Sequence, residues 1–90
     1  MAVKVELGVR FRQITGGEDA LELESETVAG LLDEIEERFP KMKGKLRDES
    51  GKLRQLNVFV NGKNIRMLEG VDTPLQDGDE VSLIPTIGGG

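Results

Sequence analysis

The sequence contains neither cysteine nor histidine. The first absence excludes a disulfide, a thiolate nucleophile and any thiolate metal site. The second removes the commonest general base and the commonest metal ligand together. Tryptophan and tyrosine are missing as well, and three phenylalanines are too few for a platform that stacks single-stranded nucleic acid. Positive charge is in the minority: 12 Lys and Arg against 17 Asp and Glu leave a net charge of −5, which argues against a phosphate-backbone partner. No apolar run approaches the length of a membrane span. The opening "MAVKVELGVRF" alternates and does not form the apolar block of a signal peptide. These absences predict a soluble cytoplasmic domain with no metal site, no bound cofactor and little of the equipment of a self-sufficient enzyme. Ninety residues make one small domain, near the length at which a single core suffices without staples.

What the sequence does have is pattern. Val3, Val5, Leu7, Val9 and Phe11 share one parity, with Lys4, Glu6, Arg10 and Arg12 on the other. Period-two alternation over this length predicts a half-buried strand. "TGGED", Thr15 to Asp19, reads as a glycine turn, and Leu21 and Leu23 then alternate against Glu22 and Glu24, so the chain is expected to open with a hairpin. From Thr27 the period changes. Val28, Leu31, Leu32, Ile35 and Phe39 recur at helical spacing, Thr27 fits an N-cap, and Pro40 disfavours continuation past Phe39. Gly30 inside this helix is expected to let it approach the sheet closely. Asp33, Glu34, Glu36 and Glu37 read as a solvated face.

The stretch "KMKGKLRDESGK", Lys41 to Lys52, reads as a polar loop with Met42 and Leu46 as anchors and Lys41, Lys43, Lys45 and Arg47 in solvent. "LNVFV" places Leu56, Val58 and Val60 on one face of a strand and Asn57 and Phe59 on the other. Asn61-Gly62 is the strongest short hairpin signal available, so "KNIRML" should return as a short strand. Asp77, Asp79 and Glu80 around Gly78 have a flavour of a calcium loop, but the ligand pattern is missing and a tight turn is expected. Val81 and Leu83 then oppose Ser82 and Ile84 up to Pro85. The resulting order is strand, strand, helix, strand, short strand, strand. It predicts an α+β domain with a mixed sheet of four to five strands and one main helix on one face. The last strand should lie centrally, beside the first.

The chain closes on "LQDGDEVSLIPTIGGG". This ending, behind that order of elements, resembles the ubiquitin-like β-grasp sulfur carriers: the small subunit of molybdopterin synthase, the thiamine-pathway carrier and the cysteine-biosynthesis carrier. The resemblance spans essentially the whole chain. "TGGEDALELESETV" and "LNVFVNGKNIRMLEGVDTPL" lean toward the cysteine-pathway and related carriers. It implies a β-grasp domain over residues 1–87 and a flexible glycine tail over 88–90. It also implies that the protein is a carrier and co-substrate, not an enzyme. A ubiquitin-activating-type adenylating enzyme would use ATP to activate the terminal carboxylate, and a sulfur donor enzyme would complete a thiocarboxylate. An acceptor enzyme, of the molybdopterin synthase large-subunit or cysteine synthase type, would take the sulfur. The reactive group would lie on Gly90, or on Gly89 if the chain is trimmed, with Gly88 in the same arm. The chain departs from the family pattern in ending on three glycines where two are usual. Phe59 and Ile84, expected on the open sheet face near the tail, together with Ile87, are candidates for a partner-binding patch. A ubiquitin-like modifier joined to lysines, or a plain interaction domain, stays open beside the carrier reading.

Overall fold

Alternation governs the first strand only as far as Leu7. The computed structural model describes residues 2–86, and in it β1 runs Val3–Leu7. It is followed by α1, a single helical turn at Val9–Arg12, then β2 (Ala20–Leu23), α2 (Val28–Arg38), β3 (Leu56–Val60), β4 (Lys63–Asn64) and β5 (Glu80–Pro85). Short 3₁₀ turns occupy Pro40–Met42, Ile65–Met67 and Gly70–Asp72.

The strands form one mixed sheet in the order β2-β1-β5-β3-β4. β1 pairs antiparallel with β2 and parallel with β5, and β3 pairs antiparallel with both β5 and β4. The last strand is therefore central and beside the first, as the pattern predicts. Val3, Val5, Leu7, Leu21, Leu23, Leu56, Val58, Val60, Val81 and Leu83 form the buried face of the sheet. Val28, Leu31, Leu32 and Ile35 of α2 are buried in the same cluster. Met42 and Leu46 join this core as fully buried anchors of the long loop.

Four details differ from the sequence reading. The first strand does not continue to Phe11, because its ladder runs out. Gly8 donates its N–H to Leu83 O at 2.9 Å, and the next parallel bond would need the N–H that Pro85 lacks. Phe11 is still buried, but from a helical turn, while Val9 is turned out and 69% exposed. The opening pair is thus antiparallel, joined by a longer connection than a tight hairpin. Second, the return strand after Asn61-Gly62 lasts only two residues. The turn is as expected, with both central residues at positive φ and Val60 opposite Lys63. Asn64 Oδ1 then accepts the Arg66 N–H and starts a 3₁₀ turn, which lets Ile65 drop into the core.

Third, Gly30 does not bring α2 to the sheet. A Cβ there would meet Thr27 Oγ1 at 3.3 Å and Ser25 Cβ at 3.6 Å, so the constraint lies at the helix's own N-cap. That cap is formed as predicted: the Gly30 N–H donates to Thr27 Oγ1 at 3.1 Å. The chain after Gly70 completes it, since Val28 N–H donates to Thr73 O.

Fourth, the acidic face of α2 is not simply solvated, nor is Arg47. Arg47 reaches back from the loop, pairing with Asp33 at 2.6 Å and Glu36 at 3.1 Å, and its side chain is 17% exposed. Burial opposes its charge, but the hydrogen bonds to Asp33 and Glu36 outweigh that and its pKa is raised. Glu34 accepts from the Ser25 hydroxyl at 2.8 Å. Further along the loop, Asp48 accepts from the Ser50 hydroxyl and from the Lys52 and Ser50 amides, which holds its carboxyl below its ordinary pKa.

The Arg47 network should be measurable in stability. Arg47→Leu leaves Glu36, 16% exposed, without its partner. A loss of about 1–3 kcal/mol in urea unfolding is expected, the range for removing hydrogen bonds to charged groups. Asp33→Asn, at the exposed end of the same network, should cost less than about 1 kcal/mol.

Candidate functional site

The glycines singled out from sequence, Gly88, Gly89 and Gly90, lie outside the described residues, as does Ile87. So does the boundary drawn at residue 87. What the structure defines is the root from which that segment continues.

The root is held from both sides. On one side, Leu56 faces Pro85 across β3–β5, and the Thr86 N–H donates to Gln55 O at 2.8 Å. Gln55 presents that carbonyl from a left-handed conformation, φ 47°, which is costly for a residue with a Cβ. On the other side stands Gly8. Its own φ is −63°, which any residue could adopt, so glycine is needed there for space. A Cβ on Gly8 would lie 2.6 Å from Pro85 Cδ and 3.2 Å from Leu83 O. The end of the central strand is thereby clamped between the end of β1 and the start of β3.

The open face of the sheet carries the predicted patch. Ile84 lies opposite Asn57, and Phe59 opposite Ser82 and Asn64. Ile84 is 47% exposed and Phe59 half-buried, while Leu83, on the other parity, is fully buried. The strand faces are therefore as the alternation predicts. Diagonal positions on neighbouring strands of one face are within reach of large side chains, so the structure brings Ile84 and Phe59 to one region.

The sequence reading missed three parts of this root. Val9 shares the buried parity of the first strand in sequence, yet it stands exposed next to Gly8. Gly8 and Gln55 carried no local signal, because the first matters through a contact 77 positions away and the second adopts a conformation unusual for glutamine. Away from the root, Met67 is 82% exposed on the 3₁₀ turn after β4.

The acidic turn before β5 has a structural task. Asp77 Oδ1 accepts from Ala2 N at 2.7 Å, Asp79 accepts from Asn61 Nδ2 and Gln76 N, and Asn61 Oδ1 accepts from Glu80 N. These bonds bind the start of β5 to the start of β1 and to the β3–β4 turn.

Two substitutions separate the faces of β5. Leu83→Asp should cost more than about 4 kcal/mol and unfold the domain, because it buries an unpaired charge. Ile84→Asp should cost less than about 1 kcal/mol, since its side chain already meets water. Equal losses in thermal melts would contradict the assigned faces. At the clamp, Gly8→Ala should destabilise by about 1–3 kcal/mol through overpacking against the rigid Pro85 ring.

Comparison with known proteins places this geometry. The chain is similar to the sulfur carrier protein CysO of Mycobacterium tuberculosis, 31% identical over 93 residues and covering 100% of both chains. It superposes on a chain of the BexX/CysO complex of Amycolatopsis orientalis with a TM-score of 0.88. That match is 34% identical and covers 99% of this chain and 100% of the other. Small archaeal modifier protein 1 of Methanosarcina acetivorans matches with a TM-score of 0.86 and 34% identity, covering 99% and 96%. The five-stranded mixed sheet with one main helix is thus the ubiquitin-like β-grasp, and with the family model matching residues 5–90, the chain belongs to the ThiS family.

Proposed function

We propose that this protein carries sulfur as a thiocarboxylate on its last glycine and delivers it to an acceptor enzyme. One observation supports this reading most: in a fold shared with sulfur carriers, the sequence places a glycine run three residues beyond Pro85, the clamped end of the central strand. A carboxylate is a poor electrophile. An ATP-dependent partner would therefore have to join the terminal carboxylate oxygen to the α-phosphorus, with pyrophosphate leaving. Sulfide, supplied by a donor enzyme, would then attack the acyl carbon and expel AMP. The carrier's own task is delivery, and glycines without a Cβ suit a narrow channel. Neither step asks this chain for the histidine or cysteine it lacks. The patch of Phe59 and Ile84, with Ile87 as a further candidate from the sequence, would be read by the partners, because buried apolar anchors dominate interface energetics. Among acceptors, likeness to CysO favours a cysteine-forming enzyme over a molybdopterin synthase large subunit.

A second reading is favoured by the match to a small archaeal modifier protein: the activated terminus would be attacked by a lysine amine of another protein. Both readings share the adenylate, and the nucleophile divides them.

Incubation with the cognate activating enzyme, ATP and sulfide, followed by intact mass, should show one oxygen exchanged for sulfur. Tandem mass spectrometry should place that sulfur on Gly90; finding it on Gly89 would require a trimming step. Deleting Gly89 and Gly90 should abolish the exchange while leaving the melting temperature unchanged. Normal activation of the shortened chain would sink the proposal, and lysine-linked adducts in extract with no thiocarboxylate would favour the modifier.

A further inference from the structure

Beside the tail root lies a cleft of about 490 Å³, within the size range of binding pockets. Its lining is unlike the rest of the molecule. Arg10 comes from α1, Lys45 from the long loop and Arg54 from the approach to β3, and no Asp or Glu lines it. This happens in a chain where acidic residues outnumber basic ones by 17 to 12. Among the described residues, none of the three cations takes part in an ion pair; the cations that do are Arg38 and Arg47. Arg54 is fixed in place, with Nη1 donating to Gly44 O at 3.2 Å and its backbone N–H to Leu46 O. Phe11, Ile14 and Pro85 supply the apolar share of the lining.

Three like charges brought to one cleft repel one another, and among the described residues no acidic side chain pairs with them, although Arg54 also borders the neighbouring cleft that holds Glu36, Asp48 and Glu49. We propose that the cleft receives an acidic segment of a partner protein, its carboxylates meeting Arg10, Lys45 and Arg54 and an apolar side chain meeting Phe11, Ile14 and Pro85. The mixed lining suits a peptide better than a bare anion, which would leave the apolar share unused. Position adds to this. Pro85 lines the cleft and also ends β5, and residues 87–90 span at most about 14 Å of extended chain. A partner held in the cleft therefore stands within reach of the terminal residue. The proposal is independent of sulfur carriage, because it needs only the charge and shape of the cleft.

The test titrates the isotope-labelled full chain with a short peptide alternating glutamate and leucine, read by amide shifts. Saturable shifts confined to Arg10, Ile14, Lys45, Gln55 and their neighbours are expected, weakening as salt rises. The variant carrying Arg10→Gln, Lys45→Gln and Arg54→Gln should bind about tenfold more weakly, the scale expected for three exposed charge contacts. Lys45→Gln alone should show part of that loss, and it touches none of the hydrogen bonds that fix the loop. Equal binding of a glutamine–leucine peptide would overturn the proposal, as would shifts elsewhere on the molecule. Inorganic phosphate or ATP moving the same amides, with the peptide silent, would make the cleft a small-anion site and overturn it too. If removing Gly88 to Gly90 alone moves those amides and strengthens peptide binding, the occupant is the chain's own end and the partner reading fails.

Discussion

The parallel pairing of β1 with β5 is the constraint on which the other features depend. It joins Lys4–Leu7 to Glu80–Leu83, nearly the two ends of the chain, and a parallel pair cannot be closed by a short turn. Everything between must therefore be arranged so that the last strand returns to the middle of the sheet. The acidic turn at Asp77–Asp79 ties the start of β5 to Ala2, and α2 covers the shared face with Val28, Leu31, Leu32 and Ile35. Closing so long a loop costs entropy before any contact rewards it. The reward is a strand bonded on both sides, whose end is fixed relative to the whole domain.

Legibility in the sequence tracked the range of the interaction. Alternation in Leu56–Val60 and Val81–Ile84, the Thr27 cap and the Asn61-Gly62 turn are local, and each is legible because it is decided within a few residues. The central place of β5 was legible from element order. What escaped was long-range or unsigned. "VRF" at Val9–Phe11 keeps the strand parity, yet the ladder ends because of a proline 77 positions after Gly8. Phe11 stays buried while Val9 does not, so the hydrophobic pattern survived and the secondary structure changed beneath it. Gln55 illustrates the other limit, since a left-handed glutamine has no compositional mark.

Charge shows the same division. Read along the chain, Asp33, Glu36 and Arg47 are ordinary surface residues, and so are Arg10, Lys45 and Arg54. In the fold, Arg47 pairs with both carboxylates and braces the long loop, whose Met42 and Leu46 are buried in the core, against α2. The second three line a cleft beside the tail root that no described acidic side chain lines. The chain is acidic overall, so a local surplus of positive charge is a property of topology. No sum over composition reveals it.

The clamp on β5 bears on the chemistry proposed for the terminus. A group that must enter another protein's catalytic site has to arrive within about 1 Å of its productive position, since misplacement on that scale is costly. Under that proposal the position of the root has to be well defined. Gly8 against Pro85 and the Gln55 carbonyl on Thr86 define it, at the expense of a strained glutamine and a position closed to any side chain. If Gly90 carries the sulfur, as proposed, it stands up to about 3.5 Å further from the root than Gly89 would. A partner matched to such an arm has to grip the root at a correspondingly greater distance from its reacting centre. A cleft at the root, and a patch at Phe59 and Ile84 on the open face, are where a longer arm would leave the gripping surface. The length of the arm and the location of the surfaces around its root are then one geometric problem.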